Sequence, residues 1–302
     1  MCLVHPDLTI VIVTYNSVHV VGDLLDSIPA ALGGLTAEVI VVDNASTDGT
    51  AEFVGMRNDC RLVCSDNVGY AGGINRGVRE ALHTEAILIL NPDVRLAADS
   101  VPSLLTALRQ PNVGIVAPQV RSAQATLEFS LRREPSLRRA MGLNRTGRKS
   151  FSEYVANPAD YDRPHIVDWA LGAILLVSRS CYDVVGGWDE SYFLYSEETD
   201  FCLRAKDLGL RTRYEPRSVA VHIGGQSGRS GKTHAMRIVN RIRLYRRRHG
   251  VLASWCYYWL TVASELSWLV RGQRESWSSL KAVLRPSHRP IELGCSTTFM
   301  PQ

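Results

Sequence analysis

Carboxylate and amide groups interrupt this sequence at places where an apolar run has just ended. The run Ala86–Leu90 stops at Asn91-Pro92-Asp93, and the run Val39–Val42 stops at Asp43. A carboxylate in the position of Asp43 can accept an N–H from a pyrimidine ring, the kind of contact that selects a base. An ordinary turn that caps a strand is the alternative at both places, because Asp, Asn and Pro favour turns.

A cluster of three acids, Glu197, Glu198 and Asp200, lies within the helical pattern Ser196–Leu208. Acids in a first turn oppose the helix dipole, and Ser196 is a good N-cap, so part of this cluster has a structural explanation. Three acids nevertheless exceed what capping needs. Because adjacent helical positions point about 100° apart, Glu197 and Glu198 cannot share one task. The cluster therefore predicts at least one carboxylate with a chemical role.

Short apolar, β-branched runs alternate with helical patterns through the first 120 residues. The predicted strands are Leu8–Thr14, Val39–Val42, Leu62–Cys64, Ala86–Leu90 and Val113–Ala117. Helices are predicted along the apolar face from Val20 to Ile28 and at Thr50–Met56, Gly72–Leu82 and Val101–Leu108. Continuous apolar runs are typical of strands covered on both faces, so the sequence predicts an α/β fold with a mostly parallel sheet. Ligands bind beyond the carboxyl ends of strands in such sheets, which makes the residues after each strand candidates for a site.

Beyond residue 120 the sequence no longer shows the regular alternation of strand and helix patterns. Residues 121–164 are polar, rich in Arg and Ser, and without clear periodicity, which is typical of a long, partly ordered loop. Strands are predicted at Ile166–Trp169 and Ala173–Val177 and around Val219–His222, with the acidic helix between the last two. After Gly224-Gly225 the sequence is basic and helical. We therefore expect segments at 1–120, 121–228 and 229–302.

The turn after the first strand, Thr14-Tyr15-Asn16-Ser17, argues against two classes of nucleotide enzyme. It contains no glycine, whereas a dinucleotide-binding dehydrogenase needs the pattern GxGxxG at this point. A nucleotidyltransferase would need a glycine-rich first loop with Lys or Arg for a triphosphate, and the turn offers neither. A nucleotidyltransferase built on a similar α/β sheet remains the alternative enzyme class.

The composition is that of an ordinary globular protein, with 302 residues, 45% hydrophobic and 21% charged, and a mild net charge of +4. Seven cysteines form an odd set without a CxxC pair or a zinc-like spacing, and Cys64, Cys181 and Cys202 lie in apolar stretches typical of buried free thiols. The N-terminus lacks the features of a signal peptide. We therefore expect a reduced, cytoplasmic environment.

Seven motifs occur in a fixed order along the chain: VIVTYNS, VVDNASTDGT, NVGYAGGINRG, LILNPD, GAILLVSR, VGGWDESYFLYSEETDFCLRA and AVHIGG. From residue 8 to residue 225 or so, this series resembles the family 2 glycosyltransferases with the GT-A fold. The NPD and FLYSEETD variants are most similar to the branch that contains rhamnosyltransferases of bacterial polysaccharide assembly. The resemblance implies a Rossmann-like sheet with helices on both faces. Segment 1–120 would bind the nucleotide sugar, 121–228 would hold the acceptor and catalytic groups, and 229–302 would be a helical extension.

The resemblance implies a donor site and a divalent cation, Mg²⁺ or Mn²⁺. Asp93 would hold the cation on the donor diphosphate, and His222 would reach the cation or the diphosphate. Hard cations take oxygen ligands, and a diphosphate supplies several, so one protein carboxylate can suffice. Many relatives have Asp-x-Asp here, so Asn91 is expected to bond the ribose or to orient Asp93. The implied donor residues are Thr14, Tyr15, Asn16, Asp43, Asn67, Gly73, Asn75 and Asn91.

The resemblance also implies an inverting reaction, with Glu198 as the general base and Glu197 or Asp200 as the next candidates. The acceptor hydroxyl would attack the anomeric carbon in a single displacement. The rhamnosyltransferase-like motifs imply dTDP-rhamnose as a candidate donor. Trp169, Gly172 and Asp189 match positions near the acceptor in relatives, although a buried Trp and a structural turn are the alternatives. A catalytically dead scaffold is disfavoured, because the candidate base and the metal carboxylate are both present.

The C-terminal segment is basic and aromatic, with only Glu265 and Glu275 opposing the Lys and Arg residues of 229–289. One helical stripe collects apolar side chains: Val251, Trp255, Trp259, Val262, Leu266 and Leu269. A basic, Trp-rich amphipathic helix predicts binding to an anionic membrane surface on the inner face, which suits a polyprenyl-linked acceptor. A helix packed on the core or in a homodimer is the alternative. We expect no nucleic-acid partner, since a nucleic-acid module would leave Asp93 and the acid cluster unexplained.

Overall fold

The computed structural model describes residues 5–143, 146–224 and 230–294, and its main element is a nine-stranded sheet. These ranges contain eleven strands: β1 Leu8–Thr14, β2 Ala37–Asn44, β3 Arg61–Ser65, β4 Ala86–Leu90, β5 Val94–Leu96, β6 Val113–Arg121, β7 Leu131–Arg132, β8 His165–Val167, β9 Trp169–Ala170, β10 Ile174–Ser178 and β11 Arg211–His222. The helices within the described residues are α1 Val18–Ala31, α2 Thr50–Gly55, α3 Gly69–Glu80, α4 Ser100–Leu108, α5 Leu137–Ala140, α6 Arg179–Val185, α7 Glu197–Asp207, α8 Gly231–Arg248, α9 Val251–Val270 and α10 Glu275–Leu284.

The strand order in the large sheet is β3-β2-β1-β4-β10-β6-β11-β5, with β8 also paired to β11. Strands β3, β2, β1, β4, β6 and β11 run in one direction, and β10, β5 and β8 run in the opposite one. The predicted mostly parallel sheet is therefore confirmed. Because β1 to β4 are parallel neighbours, their carboxyl ends meet at one edge, where the candidate residues lie.

Helices cover both faces of the sheet, as the continuous apolar strands predict. Side chains of α1 and α4 pack on one face, and those of α3, α6 and α7 pack on the other. Two glycines bring α3 close to β1. A Cβ at Gly73 would lie 2.6 Å from Cγ1 of Val13, and a Cβ at Gly77 would lie 2.6 Å from Cγ1 of Val11. The helix backbone thus rests directly on the strand, and this contact places the start of α3 at the sheet edge.

The segment 121–164 is partly ordered despite its polar sequence. It contributes β7, α5 and two short 3₁₀ helices, Lys149–Phe151 and Pro158–Tyr161, among its described residues. Isolated large side chains anchor it instead of a periodic face: Tyr161 is buried, accepts a bond from the Leu131 amide at 3.0 Å and donates to the Val155 carbonyl at 3.1 Å. The prediction of a long, partly ordered excursion is therefore confirmed, and its order comes from short elements and single anchoring side chains.

Other local predictions also differ from the structure. The strand predicted at Ile166–Trp169 is divided into β8 and β9, which pair in two different sheets. Strand β5 and helix α6 were not predicted, because both are too short for a clear period. Cys181 and Cys202 are buried free thiols as expected, but Cys64 is exposed on β3.

The last three helices form a further hydrophobic cluster together with Ala140 of α5 and Leu293, and several polar side chains of α9 face inward. Ser254, Thr261 and Glu265 are buried, and the Glu265 carboxylate accepts bonds from His234 at 2.7 Å and Ser279 at 2.5 Å. The apolar stripe of α9 therefore faces solvent at many positions. Within the described part of the chain, no helix has the length and hydrophobicity to cross a membrane. The segment boundaries at residues 120 and 228 stay predictions, and Gly225 lies outside the described residues.

Candidate active site

The ends of β1 and β2 are tied together by side chains of the predicted donor site. The Thr14 hydroxyl donates to Oδ1 of Asp43 at 2.8 Å, and the Thr47 amide donates to the Asn16 side chain at 2.9 Å. Asp43 is buried and also accepts the amide of Ser46 at 2.9 Å. Its carboxylate therefore shapes the turn, and its contact with a pyrimidine ring stays a prediction. Tyr15 is exposed beside this turn.

Asp93 lies between β4 and β5 with a carboxylate oxygen that has no hydrogen-bond partner among the described residues. The side chain is only 3% exposed, and Oδ1 lies 3.5 Å from Nε2 of His222, at the end of β11. The other ring nitrogen, Nδ1, faces Glu128 Oε2 at 3.4 Å. Burial disfavours the imidazolium, but the carboxylates of Asp93 and Glu128 outweigh it, so the pKa of His222 is raised.

This arrangement fits a divalent cation. A carboxylate that holds one histidine nitrogen leaves the other free to point at a metal, an arrangement found at many metal sites. Glu128 fills the first role, and Asp93 offers a buried, unpartnered oxygen. No group of three or more His, Cys, Asp or Glu side chains suited to a metal occurs in the described ranges. Asp93 and His222 would therefore hold a cation only together with oxygens from a ligand, and a diphosphate supplies such oxygens.

Glu197 and Glu198 begin α7, and each has one carboxylate oxygen without a hydrogen-bond partner in the described structure. Glu197 is buried, and both burial and the charge of Glu198 raise its pKa well above the usual glutamate range. Burial also raises the pKa of Glu198, but backbone hydrogen bonds and the nearby Arg132 charge oppose that rise. The Arg132 charge therefore favours ionisation of Glu198 over that of Glu197, and an ionised carboxylate is the form that a general base requires.

Contacts of Gly172 and Ala173 link the surroundings of Asp93 to those of Glu198. The Asn91 amide donates to the Ala173 carbonyl at 2.8 Å, which joins the end of β4 to the residue after Gly172. A Cβ at Gly172 would lie 3.0 Å from Cβ of Glu198, so this glycine packs directly on the candidate base. The Tyr70 hydroxyl donates to the Gly172 carbonyl at 3.0 Å. Burial and then the charges of Glu197, Glu198 and Asp93 raise the pKa of Tyr70, so all three carboxylates act electrostatically on its hydroxyl.

The loop before α7 has an unusual backbone. Phe193, Tyr195 and Ser196 have positive φ angles of 58°, 68° and 74°. Such angles are uncommon outside glycine and persist only where the surroundings impose them. The buried side chain of Asn240, on α8, imposes them here: its Nδ2 lies 2.7 Å from the Tyr192 carbonyl, 3.0 Å from that of Leu194 and 3.0 Å from that of Tyr195. The C-terminal extension thus fixes the start of the helix that carries the base.

Several predicted site residues are used for structure instead. The Asn75 amide is fully bonded: Nδ2 donates to the Trp188 carbonyl at 2.8 Å and to Glu190 at 2.9 Å, while Oδ1 accepts from Tyr182 at 2.8 Å. Gly73 serves the packing of α3 on β1. Asn75 and Gly73 thus have structural roles in this fold, and their contacts with the donor stay predictions. Asn67 is exposed and accepts the Gly69 amide at 3.2 Å, which leaves its donor contact a prediction.

Asp200 and Asp189 are also held in structural contacts. Arg204 Nε donates to Asp200 Oδ2 at 2.6 Å, so the third acid of the cluster is held in an ion pair, and its role as a further candidate base stays a prediction. Asp189 accepts the Ser191 amide at 2.9 Å and pairs with Arg247. Part of the basic run at 246–248 therefore binds the catalytic half of the chain and is not a free basic surface. These acids lie next to the site, which explains why sequence position alone could not separate them from Glu198.

Trp169 contacts two arginines that the sequence analysis did not select. Its indole donates to the Arg133 carbonyl at 3.1 Å, and the Arg132 guanidinium lies 5.8 Å from its ring centre. Arg132, Tyr70, Glu128 and Asn240 were missed as site residues. Arg132 and Glu128 lie in the segment taken for a loop. Tyr70 lies inside the NVGYAGGINRG motif, which was a usable signal.

Two family profiles and several known proteins match this chain. The profile of Glycosyl transferase family 2 matches residues 9–159, and that of Glycosyl transferase family group 2 matches residues 86–283. The chain is 30% identical over 253 residues to the N-acetylglucosaminyl-diphospho-decaprenol L-rhamnosyltransferase of Mycobacterium tuberculosis, a match that covers 75% of this chain and 80% of that protein. It is 30% identical over 204 residues to the low-salt glycan biosynthesis hexosyltransferase Agl10 of Haloferax volcanii, covering 66% of this chain and 62% of that relative.

The fold is shared with solved sugar transferases. The mannosyltransferase PcManGT of Pyrobaculum calidifontis, solved with GDP-Man and Mn²⁺, superimposes with a TM-score of 0.55 at 18% identity, over 97% of this chain and 87% of that one. An identity this low shows the fold alone, and it confirms the α/β architecture of the GT-A type with C-terminal helices. The profiles and the mycobacterial relative show more than the fold: the chain belongs to family 2 of the glycosyltransferases, in its rhamnosyltransferase-like branch.

Proposed function

We propose that this protein transfers a sugar from a nucleoside diphosphate to an acceptor hydroxyl, with inversion at the anomeric carbon. The observation that carries the proposal is that Asp93 and Glu198 each have a carboxylate oxygen without a hydrogen-bond partner in the described structure, and that contacts of Gly172 and Ala173 link their surroundings. A transferase needs one group for the leaving diphosphate and another for the acceptor proton, and these two carboxylates supply both. A nucleotidyltransferase and a dead scaffold leave this pairing unexplained.

In the proposed reaction, ionised Glu198 takes the proton of the acceptor hydroxyl while that oxygen attacks the anomeric carbon. Asp93 and His222 would hold a divalent cation on the donor diphosphate, and the cation would supply charge stabilisation for the leaving group. The turn that carries Thr14, Asn16 and Asp43 would bind the nucleoside. The Tyr70 hydroxyl donates a hydrogen bond to the Gly172 carbonyl and so helps to hold the backbone that packs on Glu198.

The donor is proposed to be a nucleoside diphosphate deoxyhexose, with dTDP-rhamnose as the first candidate. This choice of donor is supported by the L-rhamnosyltransferase of Mycobacterium tuberculosis, whose match covers 75% of this chain. The same name, with its diphospho-decaprenol, supports a lipid-linked glycan as the acceptor.

A thermal-shift screen tests the donor. We expect dTDP-rhamnose with Mn²⁺ or Mg²⁺ to raise the melting temperature more than UDP- or GDP-sugars at equal concentration. Ligand at about a hundred times its dissociation constant stabilises a fold by about 2.7 kcal/mol, which such a screen detects. Equal shifts from all nucleotide sugars would contradict the proposed donor, and no shift from any would contradict nucleotide-sugar binding.

We also propose that the apolar stripe of α9 binds the surface of an anionic membrane, as a peripheral contact on the inner face. Large side chains on α9 and α10 are exposed: Val251, Leu252, Trp255, Trp259, Leu266, Val270 and Trp277. An exposed apolar patch rimmed by cations is typical of an interaction surface. Arg271 and Lys281 lie over the rings of Trp268 and Trp277 at 5.0 and 4.9 Å, which provides the basic rim.

Replacing both Trp255 and Trp259 by glutamine is expected to weaken binding to phosphatidylglycerol vesicles at least about tenfold, because each buried indole contributes a few kcal/mol. Both side chains are exposed, so the fold should survive. Vesicle flotation at low salt measures the effect, with Met56→Gln, an exposed apolar residue just after α2, as the control. A protein that never floats contradicts the proposal, and a dimer that dissociates in the tryptophan variant would assign the stripe to a second copy.

A further inference from the structure

A basic cavity of about 400 Å³ lies between β7, the 3₁₀ helix Lys149–Phe151 and β8. This volume lies in the range of small-molecule sites. Its lining contains five basic side chains: Arg132, Arg133, Lys149, Arg163 and His165. Two acids, Asp160 and Asp168, also line it. The cavity belongs to the segment that the sequence analysis took for a loop.

The cations of this cavity outweigh its acids. Asp168 is occupied on both oxygens, by Lys206 Nζ at 2.8 Å and by the Glu134 amide at 2.9 Å. Asp160 lies 3.9 Å from Lys149 Nζ, the long limit of an ion pair. Among the described residues, no carboxylate lies within ion-pair distance of Arg132, Arg133 or Arg163. The cavity is therefore left with excess positive charge.

The lowered pKa of Arg133 is consistent with this excess of positive charge. Burial and the neighbouring charge of Arg139 lower its pKa, and the carboxylates nearby do not restore it. An arginine in this situation gains more than an exposed one from a bound anion. Guanidinium groups bind phosphate oxygens through paired N–H donors, and such charge-assisted bonds are the stronger class of hydrogen bond.

The cavity connects to the candidate base on one side. Arg132 lines it, and the charge of Arg132 favours the ionised form of Glu198. The Arg132 guanidinium is held 3.8 Å above the ring of Tyr154 and lies near Trp169, which bonds the Arg133 carbonyl. A ligand whose anionic group occupies the cavity would therefore place its neighbouring atoms near Glu198.

On the other side the cavity approaches the C-terminal helices. The 3₁₀ helix that carries Lys149 packs against α5, and α5 packs against α9, which presents the apolar stripe. Arg241 of α8 also pairs with Glu153, just after that 3₁₀ helix. Contacts through α5 thus link the basic cavity to α9, while Arg132 links it to the candidate base. An acceptor with a sugar, a phosphate and a lipid in that order would match these links.

We propose that this cavity binds the phosphate or diphosphate group that joins the acceptor glycan to its lipid. The inference rests on the proposed function and adds to it the place where the acceptor is held. Arg133, Lys149 and Arg163 are the proposed ligands of the phosphate oxygens, and Arg132 links that site to Glu198. The chemistry recognised is a multiply charged phosphate group close to an acceptor hydroxyl.

Titration calorimetry of the full chain with inorganic pyrophosphate tests the cavity, in the presence of EDTA so that no divalent cation acts at Asp93. The double variant Lys149→Gln, Arg163→Gln removes two exposed cations and is expected to weaken pyrophosphate binding at least about tenfold. The control, Arg109→Gln with Arg217→Gln, removes two exposed cations elsewhere and is expected to bind as the unsubstituted protein does. Equal affinity of the two double variants would overturn the proposal.

A second arm separates the acceptor from bulk lipid. The Lys149→Gln, Arg163→Gln variant should bind vesicles that contain a polyprenyl diphosphate more weakly than the unsubstituted protein does. Its affinity for phosphatidylglycerol vesicles of the same surface charge should be unchanged. An equal loss on both vesicles would assign the cavity to lipid headgroups and overturn the proposal. The donor screen on the unsubstituted protein is independent of these measurements. If the protein binds a donor but not pyrophosphate, only this inference is contradicted. If it binds pyrophosphate but no nucleotide sugar, the proposed function is contradicted, and the assignment of the cavity to the acceptor is contradicted with it.

Discussion

Replacing Glu198 by glutamine is expected to lower kcat by a factor of about 10²–10⁴, the usual contribution of a general base. Glutamine keeps the size of the side chain and its packing against Gly172, but it cannot take a proton. Because Glu198 does not contact the turn of Thr14 and Asp43, donor affinity should stay nearly unchanged. Release of the nucleoside diphosphate measures kcat, and calorimetry measures donor binding.

The matched variant is Glu197→Gln, one residue earlier in the same helix. Burial and the adjacent Glu198 raise the pKa of Glu197 and favour its protonated form, so a neutral amide should replace it at a smaller cost in turnover. A near-normal rate for Glu198→Gln, together with a large loss for Glu197→Gln, would exchange the two roles. A larger loss of kcat in Glu198→Gln than in Glu197→Gln would support Glu198 as the base.

The pH profile gives an independent readout of the same group. A base works only when it is deprotonated, and burial raises the pKa of Glu198 above the ordinary glutamate value of 4.5. Activity should therefore fall on the acid side at a higher pH than an exposed glutamate would produce. This acid limb of kcat/KM should flatten in Glu198→Gln, since the titrating group is gone.

The strand ends could be predicted from the sequence because their signals are local. The continuous apolar runs that became β1, β2 and β4 predict buried parallel strands, and the polar residues that follow them must then meet at one edge. Asp93 was found in this way. The motifs added Glu198, which no period or spacing could have separated from Glu197 and Asp200.

The rest of the site depends on contacts between distant parts of the chain. Asn240 acts on the Tyr192–Ser196 backbone from α8, and nothing in its own neighbourhood of sequence indicates this role. Asn75 was taken for a donor ligand because it lies in a glycine-rich motif, but its partner Trp188 is over one hundred positions away. Such pairings follow from the packing of α3 against the 188–190 turn, which a pattern of residue types does not encode.

Replacing Asp93 by asparagine should abolish the effect of Mn²⁺ or Mg²⁺ on donor binding and lower kcat by a factor of about 10²–10³, similar to the loss of one strong electrostatic contact in a site. The amide keeps the shape of the side chain but removes the charge of its buried, unpartnered oxygen. With less charge compensation on the leaving diphosphate, the barrier to its departure rises. Thermal shifts with donor, measured with Mn²⁺ and with EDTA, report this loss separately from turnover.

The control for this variant is Asp23→Asn, an exposed carboxylate that pairs with Arg95 just after Asp93. It should leave the difference between Mn²⁺ and EDTA intact, because Asp23 is not among the candidate site residues. If the unsubstituted protein binds donor equally well in Mn²⁺ and in EDTA, the cation has no role in donor binding. His222 would then be the group left to face the diphosphate, since its flanking carboxylates already favour its charged form. The two outcomes thus decide whether charge on the leaving group is met by a cation or by the imidazolium.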